Sequence, residues 1–85
     1  KVTRTPSMEI NLIGMTVEEA RHEADKFIDN GVMNGQTTLY LIHGKGTGAL
    51  RKGIHEHLRR HKNVRSFRLG VYGEGEAGVT VVELK

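Results

Sequence analysis

Hydrophobic and polar positions along the chain predict strands and helices that alternate. Met8 to Leu12 is predicted to be a short strand, and Gly14 ends it. The run Thr37 to Ile42 is dense in strand-forming residues and lacks regular polar alternation, which is typical of a central strand buried on both faces. Val64 to Val71 and Val79 to Leu84 also have the composition of strands, and the glycine-rich segment 73–78 between them predicts a turn.

The segment after the first strand has the spacing of a helix. Apolar residues recur there at intervals of three and four, and Asn34-Gly35 supplies a stop signal, so the spacing predicts a helix over residues 16–34. Thr16 and Glu19 have the spacing of a capping box at its start. Gly31 would lower the stability of such a helix slightly.

A second helical pattern runs from Ala49 to Lys62, and its apolar stripe consists of Leu50, Ile54 and Leu58. The element order is therefore β-α-β-α-β-β, which predicts an α/β two-layer sandwich with a four-stranded mixed sheet and two helices. Strands that alternate with helices favour parallel pairing through right-handed crossovers.

Length and composition bound the function. Eighty-five residues form one small domain with no room for a deep cavity. The polar residues 1–7, broken by Pro6, are interpreted as a linker that joins a domain at 8–85 to a longer parent protein. Cysteine is absent, which excludes disulfides and thiolate metal sites, and no apolar run approaches the roughly 20 residues that span a bilayer. We therefore expect a cytoplasmic domain with no membrane partner.

Charge is distributed unevenly along the chain. The formal net charge is +3, but residues 43–68 alone carry +7, and the segments before and after them carry −2 each. A charge run of this kind can be a solvated face and nothing more. Because this one directly follows a candidate phosphate-binding loop, it favours a polyanionic partner, DNA and/or RNA.

The loop in question is HGKGTG, residues 43–48, between a buried strand and a basic helix. Its glycines allow left-handed backbone conformations and close approach of a ligand, and the helix that follows directs free N–H groups at the loop. The predicted phosphate ligands are the backbone of Gly44, Gly46, Thr47 and Gly48. Lys45 adds charge, and His43 adds a group that titrates near neutral pH. The alternative is a plain strand-to-helix turn.

Helical projection places a row of cations beside the apolar stripe, on the side away from His57 and His61. These residues are Arg51, Lys52, His55, Arg59 and Lys62. Arg65 and Arg68 extend the basic surface along the next strand. Tyr72 is the aromatic residue that could stack on an unpaired base, with packing at a strand end as the alternative.

His57 and His61 have the i,i+4 spacing of a metal pair. No third ligand is in register with them, so we predict no metal site on this helix.

Three segments together resemble the small MutS-related (Smr) domain, most of all the copy that closes bacterial MutS proteins of the second type. They are INLIGMTVEEA at Ile10 to Ala20, LIHGKGTGALR at Leu41 to Arg51, and GEGEAGVTVVELK at Gly73 to Lys85. The resemblance implies a fold similar to the C-terminal domain of translation initiation factor three. It also implies binding of DNA or RNA and, in many members, endonucleolytic nicking. The parent proteins are ATPase dimers with proposed roles in suppressing recombination and in handling collided ribosomes, whereas the domain alone is expected to be monomeric.

Two positions depart from the family pattern, which has an acid and then His or Arg where this chain has Asn11 and Ile13. Two functions therefore remain open. The first is a nicking nuclease in which His43 transfers a proton and Lys45 stabilises charge on the phosphate, without a metal or stimulated by magnesium or manganese. The second is a non-catalytic module that binds nucleic acid, including ribosomal RNA.

Overall fold

The computed structural model describes residues 5–85, so the first four residues of the predicted linker lie outside it. Within this range the strands are β1 (Glu9–Asn11), β2 (Thr38–Ile42), β3 (Val64–Leu69) and β4 (Val79–Leu84). The α-helices are α1 (Val17–Met33) and α2 (Ala49–Arg59), and short 3-10 turns occupy Pro6–Met8 and Glu76–Gly78. The predicted element order and element types are confirmed.

The four strands form one mixed sheet in the order β1-β2-β4-β3. Strands β1 and β2 are parallel, whereas β4 runs antiparallel to both β2 and β3. Among the strands of residues 5–85, parallel pairing is found only between β1 and β2, because β4 inserts between β2 and β3 in the opposite direction. The carboxyl ends of β1, β2 and β3 and the amino end of β4 consequently lie at one edge of the sheet, called the loop edge below.

Both helices belong to one main core with the face of the sheet that carries the side chains of Leu39, Leu41, Val82 and Leu84. Helix α1 approaches the sheet closely at Gly31. A Cβ atom there would lie 2.9 Å from Cδ1 of Leu39, so the absence of a side chain permits this packing. The cost in helix propensity expected at this position is thus offset by closer contact between α1 and β2.

Helix boundaries follow local hydrogen bonding. Helix α1 begins with the predicted capping box: Thr16 Oγ1 accepts from the Glu19 amide at 3.1 Å, and Glu19 Oε1 accepts from the Thr16 amide at 2.9 Å. Helix α2 ends at Arg59, three residues before the predicted end. The amide of Arg60 donates to the His57 carbonyl, and that of His61 donates to the Leu58 carbonyl, so tight three-residue turns terminate the helix.

Candidate nucleic-acid interface

The HGKGTG loop joins β2 to α2 at the loop edge. Its backbone is left-handed at Gly44, Gly46 and Gly48, with φ values of 77°, 35° and 85°. Such values are unfavourable for residues with a Cβ atom, which explains the glycine spacing. Gly48 is the N-cap of α2, and Thr47 Oγ1 accepts a hydrogen bond from the Ala49 amide at 3.3 Å.

The amides of this loop differ in availability. Those of His43 and Gly44 donate to the Gly78 carbonyl at 3.0 and 2.9 Å, which ties the loop to β4. The Gly44 amide therefore already has a partner inside the protein. This differs from the prediction that it binds a phosphate. The amides of Lys45, Gly46 and Gly48 donate to no acceptor within residues 5–85. They lie at the positive end of the α2 dipole, where anions are stabilised.

An open groove of about 580 Å³ begins at this loop and follows α2. We call it the α2 groove, and it is lined by Thr47, Gly48, Ala49, Arg51, Lys52, His55 and Arg59. The lining holds three permanent cations and no carboxylate. The structure thus brings together Arg51, Lys52, His55 and Arg59 as helical projection predicted.

Two of these arginines have defined positions. The Arg51 guanidinium lies over the loop, with Nη2 2.9 Å from the place where a Cβ atom on Gly48 would lie. Arg51 also lines a second groove of about 520 Å³ between the HGKGTG loop and the segment after β1. The Arg59 guanidinium carbon is 5.8 Å from the centre of the Phe67 ring, within range of a cation–π interaction.

Lys62 does not belong to the α2 groove, so its predicted place beside Arg59 is wrong. It follows the end of the helix, where a projection at helical spacing no longer applies. Lys62 instead lines a separate groove on the opposite side of α2, with Asp25, Asp29 and His57 among its neighbours.

The remaining predicted contact residues lie outside the α2 groove, and most have internal partners. Lys45 Nζ is 3.8 Å from Glu76 Oε1. Arg65 donates to the Leu84 carbonyl at 3.1 Å. Arg68 donates twice to the Glu74 carboxylate, at 2.7 and 3.1 Å, and this interaction raises the pKa of Arg68. Tyr72 is 92% exposed at the loop edge.

His43 lies at the carboxyl end of β2, but its side chain is only 5% exposed. Nδ1 donates to the Gly44 carbonyl at 2.9 Å, and Nε2 is 2.7 Å from Thr80 Oγ1. Burial lowers the pKa of His43; the Gly44 hydrogen bond opposes this effect and Arg51 adds to it. Both ring nitrogens are therefore bonded inside the protein, and proton transfer by His43 to a nucleic acid stays a prediction.

The sequence reasoning missed the link between His43 and His55. Thr80 is fully buried, and its hydroxyl oxygen is also 2.7 Å from Nε2 of His55. The His55 ring packs against Phe67, with 4.8 Å between ring centres. Burial lowers the pKa of His55, and the neighbouring His43, Arg51 and Arg59 lower it further. The sequence contains one indication of this link. Thr80 is a polar residue at a core-facing position of a strand that is rich in valine.

The two departures from the family pattern lie beside the second groove. Asn11 Oδ1 accepts a hydrogen bond from the Ile13 amide at 2.9 Å, so the side chain shapes the turn after β1. Ile13 is 57% exposed and lines the second groove. Neither residue supplies charge to the site.

The histidines on the other side of α2 contact a carboxylate. Nε2 of His57 is 2.7 Å from Asp25 Oδ1, and Nε2 of His61 is 3.4 Å from the same atom. Across residues 5–85 no group of three or more His, Asp and Glu side chains has an arrangement that could hold a metal ion. Magnesium and manganese prefer carboxylate oxygens, which the lining of both grooves beside the loop lacks, so these residues do not fit a resident ion of that kind. None of the described helices is long and apolar enough to cross a membrane.

Comparison with known proteins gives consistent results. The chain is 51% identical over 78 residues to a protein named Endonuclease MutS2 from Brevibacillus brevis, and 56% identical over 79 residues to one from Ruminiclostridium cellulolyticum. These matches cover 92% and 93% of this chain but only 10% of each relative, so the chain spans about a tenth of their length.

Two solved structures share the fold. The crystal structure of the Smr domain of Thermus thermophilus MutS2 superimposes with a TM-score of 0.88 at 52% identity, covering 91% of this chain and 96% of that one. Escherichia coli YdaL, a stand-alone small MutS-related protein, superimposes with a TM-score of 0.89 at 24% identity, covering 95% of this chain and 66% of that one. A sequence model of the family described as Smr domain matches residues 10–85. With this match over most of its length, the chain belongs to the Smr domain family.

Proposed function

We propose that this domain binds the sugar-phosphate backbone of DNA or RNA along the α2 groove. The observation that carries the proposal is the convergence of Arg51, Lys52 and Arg59 with the open amides of the glycine loop, in a groove without a carboxylate. Arginine and lysine side chains and helix N-termini are the groups that most often contact phosphates. The name endonuclease, carried by the relatives, is consistent with a nucleic-acid partner.

The groove has a length suited to several phosphates. Arg51 and Arg59 are eight residues apart on α2, which corresponds to roughly 12 Å along the helix axis. Phosphates of one strand advance about 3.4 Å along the duplex axis per nucleotide and lie farther apart along the strand itself, so the groove spans about two or three of them. Lys45 would bind a further phosphate after releasing Glu76. Arg65, Arg68 and Lys62 are peripheral contacts, and Arg68 would have to exchange Glu74 for the ligand.

Salt-dependent binding tests this proposal. Changing Arg51, Lys52 and Arg59 together to Ala should weaken binding to duplex DNA and reduce the slope of log K against log salt by about 0.9 for each phosphate that the variant no longer neutralises. The matched control is the double change Lys26→Ala and Arg60→Ala, which removes two cations outside the α2 groove and should leave the slope unchanged. Equal slopes of log K against log salt for wild type and the triple variant would show that the interface lies elsewhere on the domain.

Backbone cleavage is the second candidate function. The specific observation that favours it is a half-buried histidine with a lowered pKa, His55, within the phosphate groove. As assigned from sequence, His43 would transfer the proton and Lys45 would stabilise charge on the phosphate. Within a longer ATPase parent, such nicking would serve the suppression of recombination. A module that only binds ribosomal RNA during rescue of collided ribosomes is the alternative.

Nicking of supercoiled plasmid, with and without chelator, tests the cleavage activity. Lys45→Ala should weaken both binding and nicking, because a charge contact to phosphate stabilises ground state and transition state alike. His43→Ala should reduce nicking by about 100-fold or more while affinity stays within a few-fold, if His43 transfers the proton. If the wild-type domain binds plasmid but never nicks it, cleavage is excluded and binding remains as the proposed function.

A further inference from the structure

We infer that His55, and not His43, is the proton acceptor of the α2 groove, and that buried Thr80 is the positioning residue that holds its ring. The inference rests on the proposed cleavage activity. It follows from the hydrogen bonds that connect the two histidines through one hydroxyl group.

The chain of hydrogen bonds starts at the Gly44 carbonyl. A carbonyl oxygen only accepts, so Nδ1 of His43, 2.9 Å away, carries a hydrogen. In the neutral ring the other nitrogen, Nε2, then has a free electron pair. The Thr80 hydroxyl, 2.7 Å from this nitrogen, must therefore donate its proton to His43.

The same hydroxyl then determines the state of His55. A hydroxyl has one proton, and that of Thr80 is already given to His43. The second contact of Thr80 Oγ1, at 2.7 Å, must be a hydrogen bond that it accepts from Nε2–H of His55. The neutral His55 ring consequently has its electron pair on Nδ1. No hydrogen bond to this nitrogen is found within residues 5–85, and the ring lines the α2 groove.

The surroundings keep this nitrogen unprotonated at neutral pH. Arg51 and Arg59 of α2 bring positive charge, and His43, which follows β2, disfavours a second protonated ring beside it, while Phe67 of β3 and Thr80 of β4 exclude water from the opposite side. These groups lower the pKa of His55. In the proposed complex the same arginines face the phosphate. The base and the cations that bind its substrate therefore lie in one groove.

The reaction that this arrangement supports is hydrolysis of a phosphodiester. A water molecule attacks phosphorus through its oxygen, forming the new P–O bond, and its proton passes to Nδ1 of His55. The bond from phosphorus to the leaving oxygen breaks with its electron pair on that oxygen, which takes a proton from solvent. His55 then returns its proton to solvent. The developing negative charge on the phosphate lies beside Arg51 and Arg59.

Two measurements on the 85-residue chain test the inference together. The first is nitrogen-15 NMR of the histidine rings, which should show opposite tautomers, Nδ1–H for His43 and Nε2–H for His55. The second is plasmid nicking with parallel binding measurements. His55→Gln should lose about 100- to 10,000-fold in nicking rate, with affinity changed only a few-fold. His22→Gln, at an exposed position of α1, is the matched control and should nick as wild type does.

Thr80 is tested by a pair of variants. Thr80→Val removes the hydroxyl at nearly constant shape, so the protected Nε2–H signal of His55 should disappear and the nicking rate should fall by up to about 100-fold. Thr80→Ser keeps the hydroxyl and should restore both signal and rate. Failure of Thr80→Ser to restore them, while it folds normally, would remove the positioning role.

The outcomes separate this inference from the proposed function. A wild-type ring with Nδ1–H at His55, or His55→Gln that nicks at the wild-type rate, overturns the inference and leaves binding intact. Binding without nicking by the wild-type chain overturns it in the same way. Absence of binding refutes the proposed function as well. The tautomer measurement uses the wild-type chain, so it decides even where a variant fails to fold.

Discussion

Helix α2 contributes to two histidine clusters whose surroundings differ strongly. His55, with His43, contacts a buried hydroxyl on β4, and arginines of the same helix lie nearby. His57, two residues further on, contacts the carboxylate of Asp25 on α1, as does His61. One cluster opens into a groove without acids, and the other lies in a groove with Asp25 and Asp29.

The hydrogen-bond partner, and not the spacing of the histidines, therefore distinguishes the two clusters. The Asp25 carboxylate connects α1 to the histidines of α2 and the turn after it, whereas a hydroxyl among arginines favours a neutral ring with one free nitrogen at His55. The first arrangement contributes to packing of α1 on α2. The second places the proposed proton acceptor, His55, in the groove proposed to bind phosphate.

The largest expected effect on stability comes from Thr80→Val. Removing the hydroxyl leaves Nε2 of His43 and Nε2 of His55 without a partner in a buried site, which should lower the free energy of unfolding by about 1–3 kcal/mol. Urea denaturation measures the change, with Thr80→Ser as the variant that keeps most of the stability. A Thr80→Val protein as stable as wild type would show that the hydroxyl cluster contributes nothing to folding.

A smaller effect is expected from pH. His43 and His55 both have a pKa in the folded state below the ordinary 6.5, so the unfolded chain binds protons more readily. The free energy of unfolding should therefore be highest above pH 6.5 and fall as pH drops through 6.5 toward the lowered pKa values. Urea midpoints measured from about one pH unit above this value to about one unit below it give the slope, and His43→Gln with His55→Gln should flatten it. A midpoint that rises on acidification would reverse the assignment.

The smallest effect is expected at the carboxylate cluster. Asp25 has a side chain that is 43% exposed, so solvent screens its interactions with His57 and His61. Asp25→Ala should lower the free energy of unfolding by about 0.5–1 kcal/mol and leave nucleic-acid affinity unchanged. If Asp25→Ala lowered the free energy of unfolding more than Thr80→Val does, the carboxylate cluster would contribute more to stability than the hydroxyl cluster, contrary to this comparison.

Much of the fold could be predicted from sequence because its signals are local. The period of apolar residues, the capping box at Thr16 and the glycines after β2 each act within a few residues, and all are found as expected. Four of the five residues placed on the α2 flank by helical projection also line the groove. The family match over residues 10–85 agrees with this interpretation.

Features that depend on distant partners could not be predicted. The position of β4 between β2 and β3 sets the contact between Thr80 and His55, which come from different elements. The pairing of Arg68 with Glu74, six residues away across a turn, removes a cation that composition alone counts as available. Lys62 was misplaced for a local reason, since nothing in the residue types marks the end of α2 at Arg59.

The central position of the last strand also has a consequence for synthesis of the protein. Leu41 and Thr80 are register partners from opposite halves of the chain, so the sheet closes only after β4 has left the ribosome. Pairings between residues so far apart form late, because the entropy of loop closure must be overcome first. Thr80 arrives with this strand, and before it arrives the two histidines have no common partner. A growing chain thus carries the charges of the groove before it carries the assembled histidine pair, so the proton acceptor proposed at His55 would be in place only in molecules that have finished folding.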